Sequence, residues 1–189
     1  MKINQVKNLK YFSKGKRGII YTGIYKKIKV AIKTKNPNST AIDKIKNEAK
    51  YMQLLNKKKI GPKFIKSTNK YVMYKFVEGE FIDELFLTLT KSKKIQILKD
   101  VMIQCHILDK LGIDKEEMHH PHKHIIITKT LKPVLIDFER SHHTLKPKNV
   151  TQFVEYLRRI KFLPKKLTIK TSKQYKKDHN IKPILQMIK

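Results

Sequence analysis

The chain has 189 residues, 40% of them hydrophobic, with one cysteine and a formal net charge of +29. That length suits one compact domain or two small lobes, and the apolar content excludes wholesale disorder. The lone Cys105 excludes an internal disulfide framework. No apolar stretch reaches membrane-spanning length and the polar N-terminal sequence lacks the hydrophobic region of a signal peptide, so a cytoplasmic protein with no membrane partner is expected.

Forty of the 44 basic residues are lysines; Arg17, Arg140, Arg158 and Arg159 are the arginines. Such a surface suits a polyanion such as RNA or DNA through backbone attraction. It also suits a lysine-favouring, heat-adapted proteome. The shortage of acids counts against the second reading, because ion-pair networks need both signs. The shortage of arginine counts against base-specific readout.

Residues 1–35 read as short strands. Tyr11-Phe12 runs into a glycine turn, and 19–25 and 28–34 alternate as a hairpin about Lys26-Lys27. Asn36-Pro37-Asn38-Ser39 is a loop ending in a helix cap. Over residues 40–57, Ile42, Ile45, Ala49, Met52 and Leu55 recur at three- and four-residue spacing, which predicts an amphipathic helix stopped by Gly61-Pro62. Residues 71–76 read as a strand, and Glu78-Gly79-Glu80 breaks the chain after it. A second helix over 92–111 aligns Ile95, Leu98, Met102, Cys105 and Leu108 and ends at Gly112. Residues 125–127 and 134–136 are short strands joined by a polar turn containing Pro133. Asn149 caps a further helix, with Gln152 at capping-box distance and Val150, Phe153, Val154, Leu157 and Ile160 facing inward. The basic tail after Pro164 is only weakly periodic. The order predicts an α+β fold of two lobes, residues 1–76 and 77–189, hinged near 77–80.

Three signals stand in order along this pattern: Gly15 and Gly18 in a loop, Lys33 closing Val30-Ala31-Ile32-Lys33 on a strand, and Asp137 after Val134-Leu135-Ile136. Glycines let backbone N–H groups approach phosphates closely. A strand lysine supplies positive charge, and an aspartate at a strand end offers the oxygen that magnesium prefers. Glu48 falls on the apolar side of the first helix near Ile45 and Met52, where a carboxylate needs a cation; Lys33 is the natural one. Singly, each has an ordinary reading as a turn, a helix-surface acid or one lysine among forty. Their order and spacing raise them above it.

Gly15 to Gly18, Val30-Ala31-Ile32-Lys33, Glu48 and Asp137-Phe138-Glu139 together resemble a minimal eukaryotic-type protein kinase. Residues 136–140 followed by 146–151 are most similar to the small archaeal serine/threonine kinases, with RIO kinases and the kinase of the KEOPS complex as more distant likenesses. The resemblance spans about residues 10–160. It implies a protein-kinase-like two-lobed fold, with a small antiparallel N-lobe carrying one helix and a truncated, mainly helical C-lobe. It also implies ATP with Mg2+ or Mn2+, with Gly15, Gly18, Ile20, Ala31, Lys33 and Glu48 around the nucleotide and Asp137 on the metal. The reaction implied is γ-phosphate transfer to a serine or threonine hydroxyl.

The chain departs from the family pattern in several places. Ser13 stands for the first loop glycine, and Glu139 for the glycine after Asp-Phe. No His-Arg-Asp precedes residues 125–127, and His124 takes the place of the metal-binding asparagine, a ligand suited to softer metals. In that register the catalytic aspartate falls on His119. With a longer loop Glu117 becomes the base, the preferred reading because a carboxylate can accept the hydroxyl proton; Asp114 is the other acid nearby. The histidines at 119, 120, 122 and 124 admit a zinc reading, disfavoured by their crowding on one loop without cysteine. Arg140 is a candidate anchor for Glu139 or a phosphate. The short sequence after Asp137 leaves a small-molecule hydroxyl such as a sugar open as acceptor. The missing motif and the charge leave open a nucleotide-binding pseudokinase that serves as a basic RNA- or complex-associated module.

Overall fold

A computed structural model of the chain describes residues 3–40 and 43–189. Ile42, one apolar position of the predicted first helix, lies outside the described residues. The protein is α+β and divides into two compact units, Met1–Glu78 with Ile136–Arg140, and Gly79–Leu135 with Ser141–Lys189. The division falls two residues beyond the expected boundary. It also takes the Asp-Phe-Glu segment into the first unit, whereas the sequence reading put it in the second.

The first unit is an antiparallel sheet of β1 (Val6–Lys14), β2 (Gly18–Tyr25), β3 (Ile28–Lys35), β4 (Phe64–Ser67) and β5 (Tyr71–Lys75), in the order β1-β2-β3-β5-β4, with helix α1 (Lys44–Asn56) packed on β3, β4 and β5. Register pairs Ile20 with Lys33, and Ala31 with Thr22 and Tyr74. Directly opposed residues share a face, so Ile20, Ala31, Lys33 and Tyr74 line one side of the sheet. Val30, Ile32 and Met73 line the other, where Ile3, Val6 and Leu9 cover them. The β2–β3 hairpin turns on Lys26 and Lys27, both left-handed at φ 46 and 65, where Asn-Gly is the usual pair.

Helix α1 begins at Lys44, later than predicted, and Ser39 does not cap it. The Ser39 N–H donates to the Asn36 carbonyl, and the Asn36 side chain accepts the Asn38 N–H at 3.1 Å. That Asx turn holds the loop away from helical geometry. The first helical turn instead follows Asp43, at φ 53 and with no side-chain cap bond.

The second unit holds β6 (Gly79–Phe81), α2 (Ile82–Phe86), α3 (Lys91–Lys110), β7 (Ile113–Asp114), a 3-10 turn at Pro121–Lys123, β8 (Ile125–Thr128), β9 (Pro133–Leu135), β10 (His142–His143), α4 (Asn149–Arg159), α5 (Lys165–Asp178) and α6 (Lys182–Met187). Gly79 does not simply break the chain: a Cβ there would lie 2.2 Å from the Ile127 carbonyl oxygen. Glycine is what lets β6 pair with β8. Pro133 belongs to β9 rather than the turn, tolerated because β9 is an edge of the order β6-β8-β9. The weakly periodic tail is helical; α5 buries only Thr168 and Tyr175, which explains the faint pattern. Among the described residues no helix is long and apolar enough to cross a membrane.

Candidate functional site

Strand alternation turns Lys33 toward α1, and its side chain is almost wholly covered. The Lys33 ammonium lies 2.7 Å from Glu48 Oε2, 2.8 Å from Asp137 Oδ1 and 3.0 Å from Glu139 Oε2. A strand, a helix and the 136–140 segment thus each present charge to one point within the first unit. Asn47, beside Glu48 on α1, donates its Nδ2 to the Glu139 carbonyl at 3.0 Å and pins that segment. Arg17, from the glycine loop, holds the second Glu139 oxygen at 3.2 Å. Asp137 itself is left-handed at φ 63. A non-glycine residue there is strained by roughly 1–3 kcal/mol, a pattern common at binding sites.

The electrostatics follow from burial. Desolvation alone would lower the Lys33 ammonium, but Glu48, Asp137 and Glu139 outweigh it and hold it well above an ordinary lysine. Glu48 is buried with 1% exposure, and burial pushes its carboxyl up to about 7, with Lys33 opposing and Asp137 and Glu139 adding to the rise. Burial, with Glu48 next in weight, also raises the neighbouring Tyr74 phenol. Three acids against one lysine and one arginine leave the cluster with an excess of negative charge.

The glycine loop is built differently from the sequence expectation. The Gly15 N–H is already engaged, donating to the Gly18 carbonyl at 2.8 Å. Asn36, absent from the sequence reading of the site, donates its Nδ2 to the Gly15 and Lys16 carbonyls at 3.1 and 3.2 Å. Gly18 serves the lysine: a Cβ there would meet Lys33 Cε at 2.9 Å and the Thr34 carbonyl at 3.2 Å. Ile20 is half-buried and Ala31 buried, both on the face that carries Lys33.

Glu117 and His124 are in the second unit, with His124 Nε2 3.3 Å from Glu117 Oε2. Glu116 and Glu117 are both left-handed, φ 64 and 60, so the segment is another strained stretch. Its anchors are residues read from sequence as helix caps. Asn149 is fully buried: its Oδ1 accepts the Lys115 N–H at 2.9 Å, and its Nδ2 donates to Asp109 at 2.7 Å and to the Ile113 carbonyl at 2.6 Å. The Gln152 Oε1 accepts the Met118 N–H at 2.9 Å. Both side chains thus face the loop before the helix rather than the helix's own first turn. Asp114 accepts the Glu116 N–H at 2.9 Å.

The histidines are dispersed among separate partners. Arg159 meets the His119 carbonyl and the His120 ring, and His122 meets Asp83. Among the described residues, Glu48, Asp137 and Glu139 form the one group of three such side chains whose ligand atoms all lie within 4.8 Å. The histidines at 119, 120, 122 and 124 belong, among the described residues, to no such group.

No protein-family model and no curated protein matches this chain. Three carboxylates at this spacing make a hard oxygen donor set of the kind that holds a divalent cation. The adjoining ammonium and guanidinium suit phosphate oxygens.

Proposed function

We propose that this protein is an ATP-dependent phosphotransferase with a protein-kinase-like fold, acting on a serine or threonine hydroxyl. The observation that carries the reading is the convergence of Glu48, Asp137 and Glu139 on the Lys33 ammonium at 2.7–3.0 Å. Phosphoryl transfer asks for little covalent chemistry; it asks for held phosphates, neutralised charge and an aligned hydroxyl. Lys33 binds phosphate oxygens, and Glu48 holds it in place. Asp137 and Glu139 are the ligands for Mg2+ or Mn2+, and their all-oxygen chemistry fits such an ion. When bound, the metal neutralises phosphate charge.

Glu139 then has a role that the usual glycine cannot fill: through Arg17 at 3.2 Å it ties the glycine loop to the 136–140 segment. Glu117 accepts the hydroxyl proton, oriented by His124 at 3.3 Å. A small-molecule hydroxyl is the competing acceptor.

The test is transfer of radiolabelled γ-phosphate by the full chain to itself, to generic serine/threonine substrates and to sugars. Lys33→Met and Asp137→Asn should each lower it by about 10³-fold. Retained turnover in Asp137→Asn would sink the metal assignment. Nucleotide binding with no turnover in the wild type would make the protein a pseudokinase.

A further inference from the structure

Helix α5 carries no part of the proposed phosphotransfer site, yet its charge is ordered. Lys166, Lys170, Lys173 and Lys177 are all exposed. At 3.6 residues per turn they fall within an arc of about 60°, a straight stripe roughly 16 Å long at 1.5 Å rise per residue. The buried Thr168 and Tyr175 lie on the opposite side. The helix has one acid, Asp178, off the stripe and engaged by Gln174 at 2.8 Å and by the Asn180 N–H at 2.8 Å. Beside the stripe, Lys176 and His179 line a cavity of about 320 Å3 with Lys146 and Lys148, which carries the positive surface sideways toward α4.

We propose that this stripe binds the phosphate backbone of a nucleic-acid duplex, independently of sequence. The two strands of a duplex together present one charge per about 1.7 Å of axis, so a stripe of this length lies against enough phosphate charge for its four lysines. Lysine, not arginine, fills every basic position of α5, which suits point-charge contact with phosphates rather than forked contact with bases. Single-stranded binding draws on exposed aromatic platforms, and the one aromatic residue of α5, Tyr175, is buried. A membrane-surface helix needs an outward apolar face. The apolar side of α5 instead faces its own unit, and the half-exposed Leu167 and Ile169 flank the stripe on opposite sides.

The test measures fluorescence anisotropy of a labelled duplex of about 20 base pairs and mixed sequence, made as RNA and as DNA, against the full chain over a salt series. The wild type should bind with a log–log salt slope of about −4. Replacing Lys166, Lys170, Lys173 and Lys177 with Gln should weaken binding at least ~tenfold and flatten the slope by about 3 to 4. The same substitution at Lys7, Lys10, Lys58 and Lys63 removes equal charge from the first unit and should leave the slope within about one of wild type. Unchanged circular dichroism and thermal midpoint show that the stripe variant folds, and the Lys→Arg stripe variant should keep the slope. Equal weakening by both Gln sets would reduce the effect to net charge and overturn the proposal. Tighter binding to single strands, or to anionic phosphatidylserine vesicles, would overturn it too.

Discussion

Each unit contains a buried polar network, and the two are built differently. In the second unit the Asp109 carboxylate is met almost entirely by neutral donors: the Asn149 N–H and Nδ2, the Val150 N–H and the Tyr175 hydroxyl, at 2.7–3.2 Å. Tyr175 also meets His106 Nδ1 at 2.8 Å, which ties α3 to α5. Burial raises Asp109, and those donors offset it. In the first unit three carboxylates crowd one lysine, and Glu48 is pushed up to about 7. A satisfied network specifies structure. The three carboxylates of the first network lie within 4.8 Å of one another and repel, a repulsion that a divalent cation would relieve, whereas Asp109 has no like charge beside it among its described partners.

Substitutions should therefore separate the two. The largest effect is expected from Asp137→Asn, which keeps the shape of a side chain already 34% exposed. Phosphate transfer should fall about 10³-fold, roughly 4 kcal/mol of barrier, with the urea midpoint nearly unchanged. Asn149→Ala should do the reverse. It removes three side-chain hydrogen bonds, and with them one of the four donors on the buried Asp109 carboxylate, for a loss of roughly 3 kcal/mol in urea unfolding and an unaltered nucleotide affinity in the folded protein. If Asn149→Ala lowered nucleotide affinity while Asp137→Asn lowered stability, the assignment of roles would be reversed.

Gly18→Ala tests the link between loop and lysine. The clash is with a flexible lysine tip at 2.9 Å and with a backbone oxygen at 3.2 Å, so about 1–2 kcal/mol of stability should go. Activity should fall further than Gly15→Ala lowers it, since a Cβ on Gly15 has its nearest neighbour at an ordinary 3.7 Å.

These residues also show what was legible in the sequence. Strand alternation and the helical spacing of Ile45, Ala49 and Met52 were enough to put Lys33 opposite Glu48, because both periodicities are local. Asp137 was legible as a strand-end acid. Arg17, Asn36 and Asn47 were not, because nothing in a loop or helix-surface residue's neighbours states which distant carbonyl or carboxylate it will reach. Asn149 and Gln152 were misread for a related reason. They stand at capping-box spacing, but tertiary donors and acceptors on the 113–118 loop outcompeted the helix's own first turn. Helix α5 escaped because a helix resting on only two buried residues, Thr168 and Tyr175, leaves hardly any apolar period to detect.

The pH response sharpens the contrast further. Glu48 titrates near 7 in the folded protein against an ordinary 4.5. Its raised value contributes stability that is complete below about pH 4.5 and lost as pH rises toward 7. Glu48→Gln should therefore gain on the wild type by about 3 kcal/mol between pH 4 and 8. Parallel profiles would place Glu48 at an ordinary carboxyl value.

The smallest expected effect is also the most direct reading of charge imbalance. Mg2+ that binds only the folded protein should stabilise it by about 1.4 kcal/mol at tenfold its dissociation constant, seen as a raised thermal midpoint. The rise should disappear in Asp137→Asn and shrink in Glu139→Gln, because each removes one of the oxygens within 4.8 Å of the others. It should persist in a second-unit variant such as Gln152→Ala, whose side chain contacts only the Met118 amide among its described bonds. Monovalent salt at matched ionic strength should not reproduce it, because general screening acts on the whole charge of +29 while the carboxylates select for a compact divalent ion. An equal rise with monovalent salt would mean that the first network, like the second, is only structural.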